Sequence, residues 1–142
     1  MSKNLFSSAA VALSLIVSIS ILSSCGAAID KLIDKMAVEG NKQCPMHIDS
    51  ATRLDSIMHS EKSVLEYSYT LIDVSEENLS MDKDQAASIS KALIIENLKN
   101  TESKELKAIL KLKATLRYTY YDKNGALLFS FDVVPDDYVT LL

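Results

Sequence analysis

Apolar and polar residues change their period several times along this chain, and each change marks an element. From Leu5 to Leu22 the run is uncharged, rich in Ala, Val, Leu, Ile and Ser. Ile29, Leu32, Ile33, Met36 and Ala37 then fall at i, i+3, i+4, i+7 and i+8, with Asp30, Lys31, Asp34 and Lys35 on the other side. This spacing predicts a short amphipathic helix that stops near Gly40. Such a helix can dock on the domain, lie in a lipid interface or bind a partner, and its mixed polar face argues against the interface. Cys44-Pro45-Met46-His47-Ile48-Asp49 predicts an extended segment, because proline lacks a backbone donor and keeps its predecessor out of the helical region. A first strand is expected from Thr52 to His59, then a turn at Ser60-Glu61-Lys62-Ser63. In the second strand Leu65, Tyr67, Tyr69 and Leu71 alternate with Glu66, Ser68 and Thr70, so one face is apolar and the other polar.

Asp73 to Ser80 reads as a loop, with Ser75 or Ser80 available to cap the helix that follows. From Met81 to about Leu98, Ala86, Ile89, Leu93, Ile94 and Leu98 keep a helical period, and Asp82 and Asp84 sit where the helix dipole favours acids. Ala92-Leu93-Ile94-Ile95 is apolar around a full turn, which predicts cover on more than one side and a seat for the helix at Ile29. A shorter helix carries Leu106, Ile109 and Leu110. A third strand is expected from Leu112, through Ala114, Leu116, Tyr118 and Tyr120. The hairpin turn Asp122-Lys123-Asn124-Gly125 supplies residues that accept positive φ. The fourth strand places Leu127, Phe129, Phe131 and Val133 on one face, and Pro135 ends it. The fold class is therefore α+β: two antiparallel β-hairpins forming one sheet, with helices packed on one face and a short N-terminal amphipathic helix. The other sheet face carries Glu66, Ser68, Thr70, Lys113, Thr115, Arg117, Thr119, Ser130 and Asp132 and can stand open to water.

The leading uncharged run changes the picture more than any later segment. Lys3, the apolar stretch and small residues ending in a cysteine have the layout of a secretory leader. Leu22-Ser23-Ser24-Cys25 resembles the lipobox of bacterial lipoproteins, in which the leader is cut before the cysteine. The resemblance implies a signal peptide over 1–24 and a lipid, diacylglycerol plus palmitate, on Cys25. It also implies a short tether over 25–28 and a single α+β domain over 29–142. Conventional cleavage at Gly26-Ala27-Ala28, or an uncleaved leader spanning the bilayer, are the alternatives. Gly26 lacks the aspartate that resembles an inner-membrane retention signal, so the outer membrane is the expected destination in a two-membrane cell.

Without residues 1–24 the chain has 118 residues and 14 basic against 19 acidic side chains, a net charge of −5. One modest core is expected at that size. The negative balance disfavours nucleic acid, whose phosphates need a basic patch, and disfavours simple electrostatic adhesion to anionic lipid. With Cys25 acylated, Cys44 stands alone and is expected to be buried and inert.

Catalytic sets are sparse. Cys44 with His47 or His59 and an orienting Asp49 or Asp55 could in principle form an activated thiol, but sequence proximity establishes neither a lowered pKa nor reach. Two histidines and one thiol fall short of a structural zinc site, and no cofactor is expected. The three glycines, at 26, 40 and 125, are isolated, so no phosphate loop exists. Glu76-Glu77 and Asp136-Asp137 read as solvated loop pairs, and the Tyr-x-Tyr pairs fall on the covered face, where they read as core.

Asn41, Pro45, Asp49, Thr52 and Leu54, then Tyr67-Ser68-Tyr69, then Tyr118-Thr119-Tyr120-Tyr121-Asp122 with Gly125 resemble the pattern of small uncharacterised bacterial lipoproteins and secreted domains. That resemblance implies an architecture and assigns no activity. The functional expectation is a lipid-anchored, non-enzymatic binding module of the cell envelope. Its protein contact would be the polar sheet face (Lys113, Thr115, Arg117, Thr119, Glu66, Ser68) or the N-terminal helix. An inhibitor or immunity-type protein and a small enzyme using Cys44 are the alternatives.

Overall fold

The computed structural model describes residues 26–142. The leader and Cys25 lie outside the described residues. Helix α1 is described over 26–41, so residues 26–28 are helical. It is followed by β1 (Met46–His47), β2 (Thr52–Glu61), β3 (Val64–Leu71), α2 (Lys83–Leu98), α3 (Lys104–Lys111), β4 (Thr115–Tyr121), β5 (Leu127–Val133) and the short α4 (Pro135–Tyr138). The strands form one sheet in the order β1-β2-β3-β4-β5. The two expected hairpins, β2-β3 and β4-β5, are both present and antiparallel. They join through a parallel pair, β3 with β4, where the sequence predicts a wholly antiparallel arrangement. A parallel pair needs a long crossover, and α2 with α3 provides it.

Docking of α1 closes the core. Ile29, Ile33 and Ala37 are buried against Leu65, Leu116, Ile109, Leu110 and Val133. Gly40 does not end the helix, which continues to 41; a Cβ there would meet the tip of Ile57, so a side chain at this position would have to displace Ile57 on β2. Beyond it, the Asn41 side chain bonds both backbone groups of Ile57.

Register explains the tyrosines. Tyr67, Tyr118 and Phe131 are cross-strand neighbours, and so are Tyr69, Tyr120 and Phe129. Their rings stack in two rungs, with centroids 5.2 Å and 5.4 Å apart in the first and 5.0 Å and 4.7 Å in the second. Each such pair contributes about 0.5–1.5 kcal/mol beyond burial. Burial pushes the Tyr67 hydroxyl up to about 12, as expected of a core tyrosine.

Three local expectations change. Asp82, not Ser75 or Ser80, caps α2, its Oδ1 accepting from Asp84 N at 2.9 Å and Gln85 N at 3.3 Å. Strand β4 starts at Thr115 rather than Leu112, because Lys113 has φ +65° and breaks the chain direction after α3. In the β4-β5 loop only Gly125 has positive φ, +83°, while Asp122 organises the rest. Its buried carboxylate accepts from Asn124 N at 2.8 Å, Ala126 N at 2.9 Å and Glu76 N at 3.1 Å.

Candidate functional site

Chain parity dictates that the side of β3, β4 and β5 facing away from the aromatic rungs is polar, and the helices leave it uncovered. Glu66, Ser68, Thr115, Arg117 and Thr119 lie together there as the sequence predicts. Lys113 does not: its left-handed backbone takes it out of the strand, to the end of the sheet. Most of the polar groups on this face already have partners. Arg117 donates through Nε and Nη2 to the two carboxylate oxygens of Asp132 at 2.8 Å and 3.0 Å, and through Nη1 to Glu61 at 2.7 Å. Thr119 Oγ1 donates to Glu66 Oε1 at 3.1 Å, and Ser68 and Thr119 are themselves buried between longer neighbours. Further along, Asp55 accepts from Arg53 Nε at 2.6 Å and from Thr70 Oγ1 at 2.5 Å. A partner meeting this face finds a rigid, internally satisfied network.

The opposite layer holds a feature that sequence reasoning misplaces. The apolar turn of α2 lacks the cover expected for it: Leu93 is 61% exposed and Ile89 45%. Four residues apart, they form one apolar ridge along the outer side of the helix. Beside that ridge a groove of about 300 Å³ lies between α2 and the sheet, lined by the apolar or aromatic Leu93, Ile94, Ile48, Tyr69 and Tyr120 and by the polar Ser90, Asn97, Asp49 and Thr52. The signal was present in the sequence as an all-round apolar turn. Such a turn predicts cover on more than one side and a seat there for α1; α1 is held to β2 instead, through Asn41 and through Asp30 and Asp34.

The candidate thiol set is not assembled. Cys44 is half-buried, and its Sγ donates to the Gly40 carbonyl at 3.5 Å. Burial, and then the charge of Asp55, push its pKa above the ordinary thiol value, the reverse of what a nucleophile needs. His59 is taken by α1: its Nδ1 lies 2.6 Å from Asp34 Oδ1, and its Nε2 lies 3.2 Å from Asp30 Oδ1, out of line for a hydrogen bond. The bond to Asp34 raises the imidazole pKa, outweighing partial burial. His47 and Asp49 are exposed on β1 and the turn after it. Among the described residues no group of three or more His, Cys, Asp or Glu side chains could hold a metal ion. No helix among them is long and apolar enough to cross a membrane.

These features define a class: a small α+β domain with a five-stranded mixed sheet, one face covered by helices and the other polar and open. Solved structures share that fold over nearly their whole length. The type II secretion system pilotin AspS from Vibrio cholerae aligns with a TM-score of 0.60 at 12% identity, covering 82% of this chain and 97% of AspS. The pilotin EpsS from the Vibrio vulnificus type 2 secretion system aligns at 0.61 and 12%, covering 81% and 96%. A protein from Pseudomonas aeruginosa described as secreted aligns at 0.60 and 14%, covering 80% and 95%. By sequence, the chain belongs to the DUF8479 family, a domain of unknown function, over residues 28–129. No curated protein matches it.

Proposed function

We propose that this chain is a lipid-anchored, non-enzymatic binding module of the bacterial cell envelope, of the pilotin type. The observation that carries the reading is the fold shared end to end with two type II secretion system pilotins. The lipobox-like Leu22-Ser23-Ser24-Cys25 supports it, since an acyl group on Cys25 would tether the domain within a few residues of its folded part. On this reading Cys25 is the mature first residue, the protein is held at the outer membrane, and its partner is a component of a type II secretion system. The ridge Ile89-Leu93 and the adjoining groove supply apolar contact, which suits an amphipathic segment of the partner better than the satisfied polar face does.

The test is capture from detergent-solubilised native envelopes with the acylated protein, followed by identification of what is bound. Leu93→Lys should abolish recovery of a secretion-system component while leaving the circular dichroism spectrum unchanged, since Leu93 is exposed. Recovery of the same partner by Leu93→Lys, or of no secretion-system component by the parent chain, would remove the reading. Intact mass of the native protein tests the anchor separately: an unmodified residue 25 would remove that half of it.

A further inference from the structure

The exposed side of α2 is acidic as well as apolar, and the basic residues of that helix are already engaged. At 3.6 residues per turn, Asp84, Ser88, Ile89, Ala92 and Leu93 fall on one side of it, and all five are exposed. Asp82 and Asp84 lie at the start of this stripe, in the cap and the first turn. Asp49 lies along its flank, among the residues that line the groove beside Leu93. All three acids are exposed, and none forms an ion pair with any described residue. The N-terminal dipole of α2 offsets only about half a charge, less than the two acids there carry.

Each cation of this helix has a partner within the domain. Lys83 is paired with Glu76, Lys91 with Asp137 at 2.9 Å, and Lys99, just past the last turn, with Glu96 at 2.6 Å. No lysine, arginine or histidine lines the groove. Over α2 and the groove, Asp49, Asp82 and Asp84 are therefore unpaired carboxylates, and no unpaired cation stands against them. That imbalance separates the candidate occupants. A second copy of this chain, laid on α2 through the same face, would bring no free cation to those acids. An anionic lipid surface would be repelled. A segment whose apolar residues are bordered by lysine or arginine satisfies the ridge and the charge together.

We propose that α2 and the groove beside it receive a basic amphipathic helix of a partner protein. Its apolar stripe packs on Ile89 and Leu93, which stand four residues apart and form the kind of ridge that fits between the side chains of another helix. Lysine or arginine residues at the border of that stripe meet Asp84 at one end and Asp49 in the groove. Asp84 and Leu93 are about 14 Å apart along the axis, at 1.5 Å per residue, so a partner helix of three turns reaches both. The inference rests on the proposed function for the seat itself and adds the sign of charge that the partner's segment must carry.

The test uses two synthetic helical peptides with the same leucine stripe, one bordered by lysines and its twin by glutamates. Binding to the native protein is followed by fluorescence anisotropy, in phosphatidylcholine nanodiscs with empty discs as the blank, or free in solution should the protein prove unacylated. The lysine peptide should bind at low salt at least tenfold more tightly than its twin, and high salt should shrink that preference. Asp49→Asn with Asp84→Asn should remove most of it, whereas Glu61→Gln with Glu66→Gln, on the open sheet face, should leave it intact. Leu93→Lys should weaken the lysine peptide at least tenfold. Circular dichroism establishes that each variant is folded. Equal binding of the two peptides by the parent, no binding of the lysine peptide, or an unchanged preference in the folded Asp49→Asn, Asp84→Asn variant would overturn the proposal. Recovery of a secretion-system component that depends on Leu93, from a protein with no preference between the peptides, would sink this inference and leave the proposed function standing. A clear preference with no such recovery would do the reverse.

Discussion

The side-chain amide of Asn41 pairs with Ile57 as a neighbouring strand would. Its Oδ1 accepts from Ile57 N at 2.7 Å, and its Nδ2 donates to Ile57 O at 2.5 Å. Strand β1 covers β2 only at Arg53 and Leu54, so Asn41 satisfies the next outward-facing pair of backbone groups on that edge. Asn41→Asp keeps the size and one acceptor but loses the donor, and Asn41→Ala loses both bonds. Urea unfolding should show losses of about 1 and about 2 kcal/mol respectively. Equal midpoints for both variants and the parent would show that water replaces the amide without cost.

His59 gives the seat of α1 a pH dependence. Its pKa is raised above the ordinary imidazole value of 6.5, chiefly by the bond to Asp34. The charged form is thus favoured in the folded protein, and its contribution is complete below about pH 6.5 and lost as pH rises through the higher native value. An NMR titration of the His59 ring should find that native value above the ordinary one. His59→Gln should flatten stability against pH in the same window, and a His59 titrating at or below the ordinary value would contradict the arrangement.

Asp122 has the opposite sign. Backbone donors, with Ala126 N first, hold its carboxyl below the ordinary aspartate value. Its contribution is therefore present above the unfolded pKa of about 3.9 and disappears as pH falls through the native value. Asp122→Asn puts a donor where amides now point and should lower the melting temperature at neutral pH, with a smaller difference from the parent in strong acid. A constant difference across that range would assign the loss to packing instead.

Cys44 should be a slow thiol. Its environment raises its pKa, so in the folded protein alkylation at neutral pH should run well below the rate for a free cysteine and recover on denaturation. Rapid labelling of the folded chain would reopen the enzyme alternative.

The two hairpins and the tyrosine faces were legible in the sequence because alternation with period two assigns each strand residue to a side, whichever strand lies next to it. Tyr67 and Tyr118 could be placed in the core on that ground alone. That they stack on one another could not, since stacking follows from β3 lying parallel to β4. Leu93 shows the same division. Its helical position was evident, but its exposure depends on where α1 docks, and α1 is drawn to β2 by Asn41, Asp30 and Asp34.

By itself the sequence determined the leader-like run ending at Cys25, the amphipathic face of α1, the strand parities and the α+β class. Each of these comes from residues within a few positions of one another, through rotation per residue and backbone sterics. Tertiary structure alone decided the parallel centre of the sheet, the exposure of Ile89 and Leu93 and the engagement of His59 by α1. These are relations between segments tens of residues apart, set by which surfaces bury together, and local periodicity carries no information about that choice.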